Sequence, residues 1–409
     1  MSRQAVFGKT NPITQMPTKG RILIVVGFLW GDEGILRGLA TLAKGLMQQE
    51  WEVAIASSME DRDQIERFTR GPKWLESQNI QHFFIPFPNW RTSGKRKFIS
   101  SLQALLTLNT VIRQFKPNLI NIHSLSLSPY AKAMRLFHKI PYISTARIEP
   151  STNRLGIKLG AFINRYEKTF LGNRFIAIST EVKEAYAHNL NIPRKNIHLI
   201  CHGVETDYFR VPSLQERLDA RATFNLKPEA KVICLIGRLN PIKGHDLLIQ
   251  SLAILRAEGI DVIALCAGAG NQQEQDSIIK QATQLGVSDL VRLLGFTDPR
   301  QVLWACDVLT LPSRLEGFPW VIVEAMLCGV VPLRTPGGGT VDQIEDGING
   351  FVVPFDDAEA IALRLKQLLE NDELRAQMSQ AALKSAQQKF TVEKMIEKTI
   401  AVYEEVINN

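Results

Sequence analysis

The fold of this chain is constrained most by two segments in which short apolar runs alternate with helix-like stretches. The first begins with residues 21–28 (RILIVVGF) and continues into 35–49, where apolar residues recur at helical spacing. The second begins with 231–237 (KVICLIG) and continues into 245–258. Short β-branched runs are typical of buried parallel strands, and their alternation with helices indicates βαβ units. The sequence therefore predicts an α/β protein with two doubly wound parallel-sheet domains, which face each other across a cleft.

The length of the chain and its pattern predict the domain boundaries. For 409 residues two to three domains are expected. We expect a loose tail over 1–20, an N-terminal domain over 21–205, a C-terminal domain over 206–388 and a terminal helix over 389–409. The apolar residues of 392–407 share one helical stripe, which must be buried against either the second domain or the first.

No segment predicts a membrane span or a secretion signal. The longest apolar run, 22–30, is shorter than the roughly 18–20 residues that a spanning helix needs, and the first 20 residues are polar. The five cysteines are scattered and form no C-x-x-C pair, so four of them are expected to be small core residues. We expect a reduced, cytoplasmic protein.

One loop of the second domain carries two basic residues. Residues 237–244 (GRLNPIKG) follow a predicted strand and open a helix, so Arg238 and Lys243 can converge on one anion beside the helix N-terminus. An arginine fork with a lysine point charge suits a diphosphate. The alternative is a solvated basic turn without a ligand.

Two carboxylates lie within residues 312–325 (PSRLEGFPWVIVEA). Glu316 stands in the loop at the carboxyl end of the predicted strand 308–311. Glu324 interrupts an apolar helix, where an ionised carboxylate is costly unless it is satisfied. It can accept hydrogen bonds from the two hydroxyls of a ribose, or it can pair with a basic side chain at the domain surface.

A glycine run and one histidine complete the candidate set. Residues 337–339 are glycines between a predicted strand and a helix, so their N–H groups can form a nest for a phosphate or sugar oxygen. A loop without a ligand is the alternative. His123 directly follows the predicted strand 118–122, so it either faces the cleft or is a structural core histidine.

Signatures of other cofactors are missing from the sequence. Residues 268–270 (GAG) follow a strand, but no glycine stands at the third position after them, and the first strand lacks a G-x-G-x-x-G turn. The chain contains no P-loop and no H-E-x-x-H motif. A nicotinamide or flavin cofactor is therefore not expected.

These motifs resemble those of the retaining glycosyltransferases of family 4, which have the GT-B fold. The match is strongest over 232–354, where EGFPWVIVEA resembles the family's E-x7-E motif and GRLNPIKG, LLGF, ACDVLTLPS and GING occur with it. The resemblance implies that Arg238 and Lys243 bind the diphosphate of a nucleotide-sugar donor, and that Glu324 binds its ribose. It implies no separate cofactor, and a terminal helix that crosses back to the first domain.

The same resemblance places further residues near the donor sugar and phosphate: Glu316, Gly317, Phe318, Pro319, Gly338, Gly339 and His123. It implies catalytic roles for Glu316, His123, Arg238 and Lys243. Three segments depart from the family pattern. Residues 30–34 (WGDEG) replace a Gly-Gly turn, 202–205 (HGVE) replace Asn-Gly-Val-Asp, and Asp342 stands where the family has glutamate.

The resemblance implies transfer of a sugar, with retained anomeric configuration, to a lipid-linked or oligosaccharide acceptor in cell-envelope glycan, glycolipid or exopolysaccharide synthesis. Arg238, Lys243 and helix N-termini would stabilise the leaving diphosphate, and Glu316 would orient the sugar rather than attack it. No metal is expected, because the motifs include no DxD-type pair. A nucleotide-sugar epimerase of the same fold and a non-catalytic nucleotide-sugar-binding protein are the alternatives.

The net charge of +7 conceals a strong asymmetry between the two halves. Residues 1–205 carry 28 Lys and Arg against 14 Asp and Glu, a net of +14, whereas 206–409 carry 20 against 27, a net of −7. The basic residues of the first half include Arg91, Lys95, Arg96 and Lys97, beside the aromatic residues Phe87, Trp90 and Phe98. This combination favours contact with an anionic membrane surface; an acidic oligosaccharide acceptor, or solubility alone, is the alternative. We expect peripheral attachment at the cytoplasmic face and no nucleic-acid partner.

Overall fold

The computed structural model describes residues 19–27, 33–58, 72–88, 94–123, 127–147 and 174–408. Most of the predicted tail (residues 1–18) lies outside these residues, and so do Trp30, Trp90 and Arg91. The side chains of Lys95, Arg96 and Lys97 are likewise not described. The two predicted parallel-sheet domains are confirmed.

The first domain is built on a sheet of seven described strands, all parallel, in the order β3-β2-β1-β4-β5-β6-β7. Its strands are β1 Gly20–Val25, β2 Trp51–Ser57, β3 Gln81–Phe84, β4 Leu119–Ile122, β5 Tyr142–Ala146, β6 Phe175–Ala177 and β7 Ile197–Leu199. The apolar residues of β1 are buried on both faces of the sheet, which is why this strand has no polar alternation.

Helices cover both faces of this sheet. They are α1 Glu33–Gln48, α2 Pro72–Ser77, α3 Gly94–Phe115, α4 Ser128–His138 and α5 Thr180–Asn189. Helix α1 buries Leu36, Leu39, Ala43 and Leu46 against one face, and α3 and α4 cover the other.

The second domain is built on a sheet of six described parallel strands in the order β10-β9-β8-β11-β12-β13. These strands are β8 Val232–Ile236, β9 Ile263–Ala267, β10 Val291–Gly295, β11 Val308–Leu311, β12 Val331–Arg334 and β13 Phe351–Val352. The strand order reverses between β8 and β11, and such a switch point opens a crevice at the carboxyl ends of the strands. The loops after β8 and β11 are therefore brought side by side.

The helices of the second half are α6 Leu214–Thr223, α7 His245–Ala257, α8 Gln272–Gln284, α9 Pro299–Ala305, α10 Trp320–Leu327, α11 Thr340–Gln343, α12 Ala358–Glu370, α13 Asp372–Lys389 and α14 Val392–Asn408. Short 3-10 turns lie at Arg194–Asn196 and Pro241–Lys243. None of the helices in the described part of the chain combines the length and apolar character that crossing a membrane requires.

Helix α14 leaves the second domain and packs on the first. Its apolar stripe, which includes Ile396 and Tyr403, joins the cluster formed by α1 and β1. The Tyr403 hydroxyl accepts a hydrogen bond from the Asn121 amide at the end of β4. A Cβ at Gly45 would lie 2.4 Å from Ile396 Cγ1, so the glycine allows α1 and α14 to approach closely. Of the two surfaces that the stripe allowed, the first domain is the one it covers.

Candidate active site

The loops after β8 and β11 meet through an ion pair at the switch point of the second sheet. Lys243 Nζ lies 2.6 Å from Glu316 Oε1, and the two side chains are 20% and 11% exposed. Gly237 makes room for this contact, because a Cβ there would lie 3.3 Å from Lys243 Cδ. Two motifs that are 73 residues apart therefore form one half-buried charged site.

Arg238 lies in the same loop, and its side chain is exposed without a hydrogen bond or ion pair to any residue that the structure describes. Gly244, with φ +75°, ends this loop and caps α7 without a side-chain bond. A Cβ at Gly244 would lie 2.2 Å from the carbonyl oxygen of Pro312, so only glycine brings the start of α7 this close to the β11 loop. An exposed guanidinium in a loop that leads into a helix N-terminus is suited to binding an anion.

Glu324 is buried in α10 and forms an ion pair across the domain boundary with Arg37 of α1. The Arg37 guanidinium also lies over the rings of Trp320 and Phe209, with centroid distances of 5.3 and 5.7 Å. A basic side chain therefore satisfies this carboxylate, but the side chain comes from the other domain. Binding of a ribose by Glu324 stays a prediction.

Arg334 is a site residue that the sequence analysis missed. It ends β12, is fully buried, and donates from Nη1 to Gln343 Oε1 at 2.6 Å, from Nη2 to the Gly338 carbonyl at 3.1 Å and from Nε to the Thr335 carbonyl at 3.1 Å. Burial lowers the pKa of Arg334 to about 10, against the opposing influence of Glu316 and Glu181. The guanidinium is therefore still charged at neutral pH. The sequence signal that could have indicated Arg334 is a charged residue at the end of the apolar run of β12.

The glycine loop is already hydrogen-bonded within the protein. The Gly338 N–H donates to the Glu316 carbonyl at 3.1 Å. The Gly339 N–H donates to Glu181 Oε2 at 2.8 Å, and the Val341 N–H donates to Glu181 Oε1 at 3.1 Å. The predicted nest therefore holds a carboxylate from helix α5 of the first domain. Contacts from Gly338 and Gly339 to a donor stay a prediction.

Asp342 of the second domain makes a second carboxylate contact across the domain boundary, to Thr180 of the first domain. Its carboxylate accepts from the Thr180 backbone N–H at 2.7 Å and from the Thr180 hydroxyl at 2.6 Å. Burial raises the pKa of Asp342, while the two bonds from Thr180 lower it. The short helix α11 and the start of α5 thus cap each other with carboxylates across the domain boundary.

His123 is buried at the carboxyl end of β4 in the first domain. Its Nδ1 accepts from the Arg147 guanidinium, with Nη2 at 2.9 Å and Nε at 3.1 Å. Burial, together with Arg147 and His202, holds the pKa of His123 well below its usual value. The neutral ring therefore carries its proton on Nε2, and this buried atom has no partner among the described residues.

The structure places the next three residues, Gly317, Phe318 and Pro319, in packing and hydrogen-bond contacts within the protein. A Cβ at Gly317 would lie 2.1 Å from the carbonyl oxygen of Arg147, so the β11 loop touches the first domain directly. Phe318 is buried beside His202, with ring centroids 5.8 Å apart. The Pro319 carbonyl accepts from the Gln343 amide at 3.0 Å. Contact of Gly317, Phe318 and Pro319 with a donor stays a prediction.

The described residues contain no cluster of three or more His, Cys, Asp or Glu side chains that could hold a metal ion. The four cysteines expected in the core, Cys234, Cys266, Cys306 and Cys328, are buried and form no disulfide.

Family models of known proteins match the sequences of both domains. A family model for glycosyltransferase family 4 matches residues 33–208 and a model for glycosyl transferases group 1 matches 216–385. Among curated relatives, the D-inositol 3-phosphate glycosyltransferase of Saccharomonospora viridis is 31% identical over 221 residues, which are 52% of this chain and 50% of that protein. The chain thus spans about half the length of the curated relatives that it matches.

Solved structures match nearly the whole chain. A glycosyltransferase from Rickettsia africae superposes with a TM-score of 0.82 at 20% identity, covering 96% of this chain and 99% of its own. HepE from Anabaena, in complex with UDP, superposes with a TM-score of 0.79 at 20% identity, covering 94% and 100%; the same protein is known with UDP-glucose. These likenesses identify the GT-B fold. The two family models follow each other along the chain and together cover more than four fifths of it, and the chain belongs to the glycosyltransferases of group 1 and family 4.

Proposed function

We propose that the protein transfers a sugar from a nucleotide-diphosphate sugar to a glycan or lipid-linked acceptor. The observation that carries this proposal is the Lys243–Glu316 ion pair at the switch point, beside the exposed Arg238 and the start of α7. This set joins cations for a diphosphate to a carboxylate for a sugar. The UDP-glucose complex of HepE, which shares the fold, supports the same class of donor.

The donor lies between the domains in this proposal. Arg238, Lys243 and the N-terminal N–H groups of α7 bind the diphosphate. Glu324 binds the ribose hydroxyls after exchanging its ion pair with Arg37, which requires that α1 shift relative to α10. The Nε2–H of His123 donates to an oxygen of the donor sugar, because it is a buried donor without an acceptor in the described residues.

The proposed reaction retains the anomeric configuration. The bond between the anomeric carbon and the diphosphate oxygen breaks, the acceptor oxygen bonds to that carbon on the same face, and the acceptor proton passes to the departing diphosphate. Arg238 and Lys243 stabilise the charge that develops on the leaving group. Glu316 orients the sugar, because its ion pair with Lys243 at 2.6 Å makes it a poor nucleophile.

The acceptor side of the proposal involves a membrane surface. Helix α3 exposes four large apolar side chains, with Phe98 72% exposed; the others are Ile99, Leu102 and Leu106. They follow the basic sequence 95–97 (KRK), and an exposed apolar face next to basic residues suits an anionic membrane interface. We propose that α3 rests on anionic lipid and presents a lipid-linked acceptor to the cleft.

A vesicle-sedimentation assay tests the membrane contact. We expect the protein to sediment with vesicles containing anionic lipid and to be released by high salt, and Phe98→Glu to sediment much less. Leu363→Glu is the matched control, because Leu363 is also exposed but lies on α12 of the second domain. Equal sedimentation of the two variants would count against α3.

A thermal-shift screen with UDP-, GDP- and ADP-sugars tests the central proposal. A ligand that binds the folded state raises the unfolding midpoint by mass action, and we expect one nucleotide series to do so. Arg238→Ala is expected to abolish most of the shift. Lys366→Ala is the control, because Lys366 is a partly exposed cation paired with Glu258 away from the site.

No shift with any nucleotide sugar would refute donor binding. Conversion of the donor to an epimeric nucleotide sugar in the absence of an acceptor would identify an epimerase instead.

A further inference from the structure

The loop formed by residues 337–341 is clamped by one cation and one anion from different domains. Arg334 of the second domain donates a hydrogen bond to the Gly338 carbonyl at 3.1 Å. The Glu181 carboxylate of the first domain accepts hydrogen bonds from the Gly339 and Val341 N–H groups at 2.8 and 3.1 Å. The two domains therefore bind different groups of the same loop: the second domain binds a carbonyl oxygen, and the first domain binds two N–H groups.

The carboxylate of Glu181 is not needed by its own helix. Helix α5 already has an N-cap, since the Ser179 hydroxyl accepts from the Val182 N–H at 3.2 Å. Glu184, one turn further along α5, pairs instead with Arg194 on the protein surface. Glu181 therefore differs from Glu184 in that both of its carboxylate oxygens accept hydrogen bonds from the other domain.

A short chain of contacts links Glu181 to the donor site. Glu181 holds Gly339, whose neighbour Gly338 donates its N–H to the Glu316 carbonyl. Gly338 is packed so closely that a Cβ would lie 2.6 Å from that same oxygen. We therefore expect a displacement of the glycine loop to be transmitted to Glu316, which is the partner of Lys243.

We propose that Glu181 is a positioning residue that makes the geometry of the donor site depend on closure of the two domains. The inference rests on the proposed function, because it concerns the same donor site. When the domains separate, the Gly339 and Val341 N–H groups lose their acceptor. The loop then keeps only its contacts within the second domain, so Glu316 is held less tightly. When they close, the first domain completes the site, so that the donor is activated only in the closed state, from which water is excluded.

The test compares Glu181→Gln and Glu181→Ala with Glu184→Gln as the matched control on the same helix. We expect Glu181→Ala to lower kcat/KM for transfer or donor hydrolysis about tenfold or more, in keeping with the loss of two charge-assisted hydrogen bonds. The loss should fall mainly on kcat, and the Kd for the free nucleotide should change less than about threefold, because Arg238, Lys243 and Glu324 are untouched. Glu181→Gln should lie between, since its amide oxygen can still accept.

Small-angle X-ray scattering provides a readout that does not depend on turnover. We expect Glu181→Ala to have a larger radius of gyration than the wild type and the Glu184→Gln control. Equal kcat and equal radius for Glu181→Ala and the control would overturn the proposal. So would a fall in thermal midpoint with unchanged kcat, which identifies a purely structural cap.

The inference and the proposed function fail in different ways. A wild-type protein that binds no nucleotide sugar refutes the function, whereas a functional wild type with normal Glu181 variants refutes only the positioning role. If Glu181→Ala does not fold, the Glu181→Gln variant carries the kinetic comparison.

Discussion

The buried imidazole of His245 makes the stability of the second domain depend on pH. His245 begins α7, is 3% exposed, and neither of its ring nitrogens has a hydrogen-bond partner in the described part of the chain. Burial lowers its pKa from 6.5 to about 4, with Asp246 opposing the shift and Lys243 adding to it. The folded protein therefore keeps this ring neutral where the unfolded chain protonates it.

The sign and size of the effect follow from proton linkage. Stability due to the neutral ring is complete above pH 6.5 and is lost as the pH falls through 6.5 towards 4, because the unfolded state binds more protons. At pH 5 the difference between a pKa of 6.5 and one of about 4 corresponds to about 2 kcal/mol. For a domain of roughly 180 residues this is a shift of about 5 °C in the unfolding midpoint.

His245→Leu removes the titrating group at similar volume. Thermal unfolding is measured at pH 7.5 and at pH 5.0 for the wild type and the variant, and the fall in midpoint between the two pH values is compared. We expect the fall to be about 5 °C smaller for His245→Leu. The comparison cancels any packing cost of leucine, because that cost is present at both pH values.

His188→Gln is the control, since it changes an exposed histidine of the first domain and should leave the fall as in the wild type. The pKa values of His123 and His202 are also lowered by burial, and these two residues contribute equally to the fall in midpoint of all three proteins. If His245→Leu loses as many degrees as the wild type, the reasoning is refuted, because the ring is then protonated or hydrated in the folded state.

Three further outcomes are expected. Arg37→Met should lower the thermal midpoint by several degrees, because it leaves Glu324 buried without its cation. The cost is about 3–5 kcal/mol for a fully buried pair and less here, because the Arg37 side chain is 24% exposed. Adding Glu324→Leu should recover most of the loss, and an unchanged midpoint in the single variant contradicts the role of this pair. Tyr403→Phe should cost about 1–3 kcal/mol in urea unfolding, because the buried Asn121 amide loses its acceptor, whereas equal stability would mean that this bond contributes nothing. His123→Phe should lower kcat/KM for donor turnover about tenfold while calorimetry finds an unchanged Kd for the free nucleotide, and unaltered turnover would rule out the donor-sugar contact.

The sequence predicted the elements whose burial produces a clear pattern. The expected strands 118–122 and 308–311 and the expected helix 245–258 correspond to β4, β11 and α7, because each shows an apolar run or stripe between recognisable ends. Helix α13 was missed because its buried face consists largely of small residues, Ala382 and Ala386 beside Met378. Strand β7, with three residues at a sheet edge, is too short to show any period.

The candidate site was predictable only where its residues are local in sequence. Arg238, Lys243 and Glu316 stand in loops that follow predicted strands, and parallel-sheet topology alone brings such loops together. Glu181 lies 158 residues from Gly339, and Arg37 lies 287 residues from Glu324. No spacing rule relates positions so far apart on two domains, so these partners became visible only in three dimensions.

The return of α14 to the first domain has a consequence for synthesis of the chain. Met395, Ile396, Val402 and Tyr403 are buried in the same cluster as α1 and β1, although nearly the whole chain separates them. Domains usually fold as they leave the ribosome, the N-terminal one first. Here the face of α1 that α14 covers stays open until α14 has been released, and by then the residues that form the core of the second domain are already synthesised. The N-terminal domain is thus completed after the second domain.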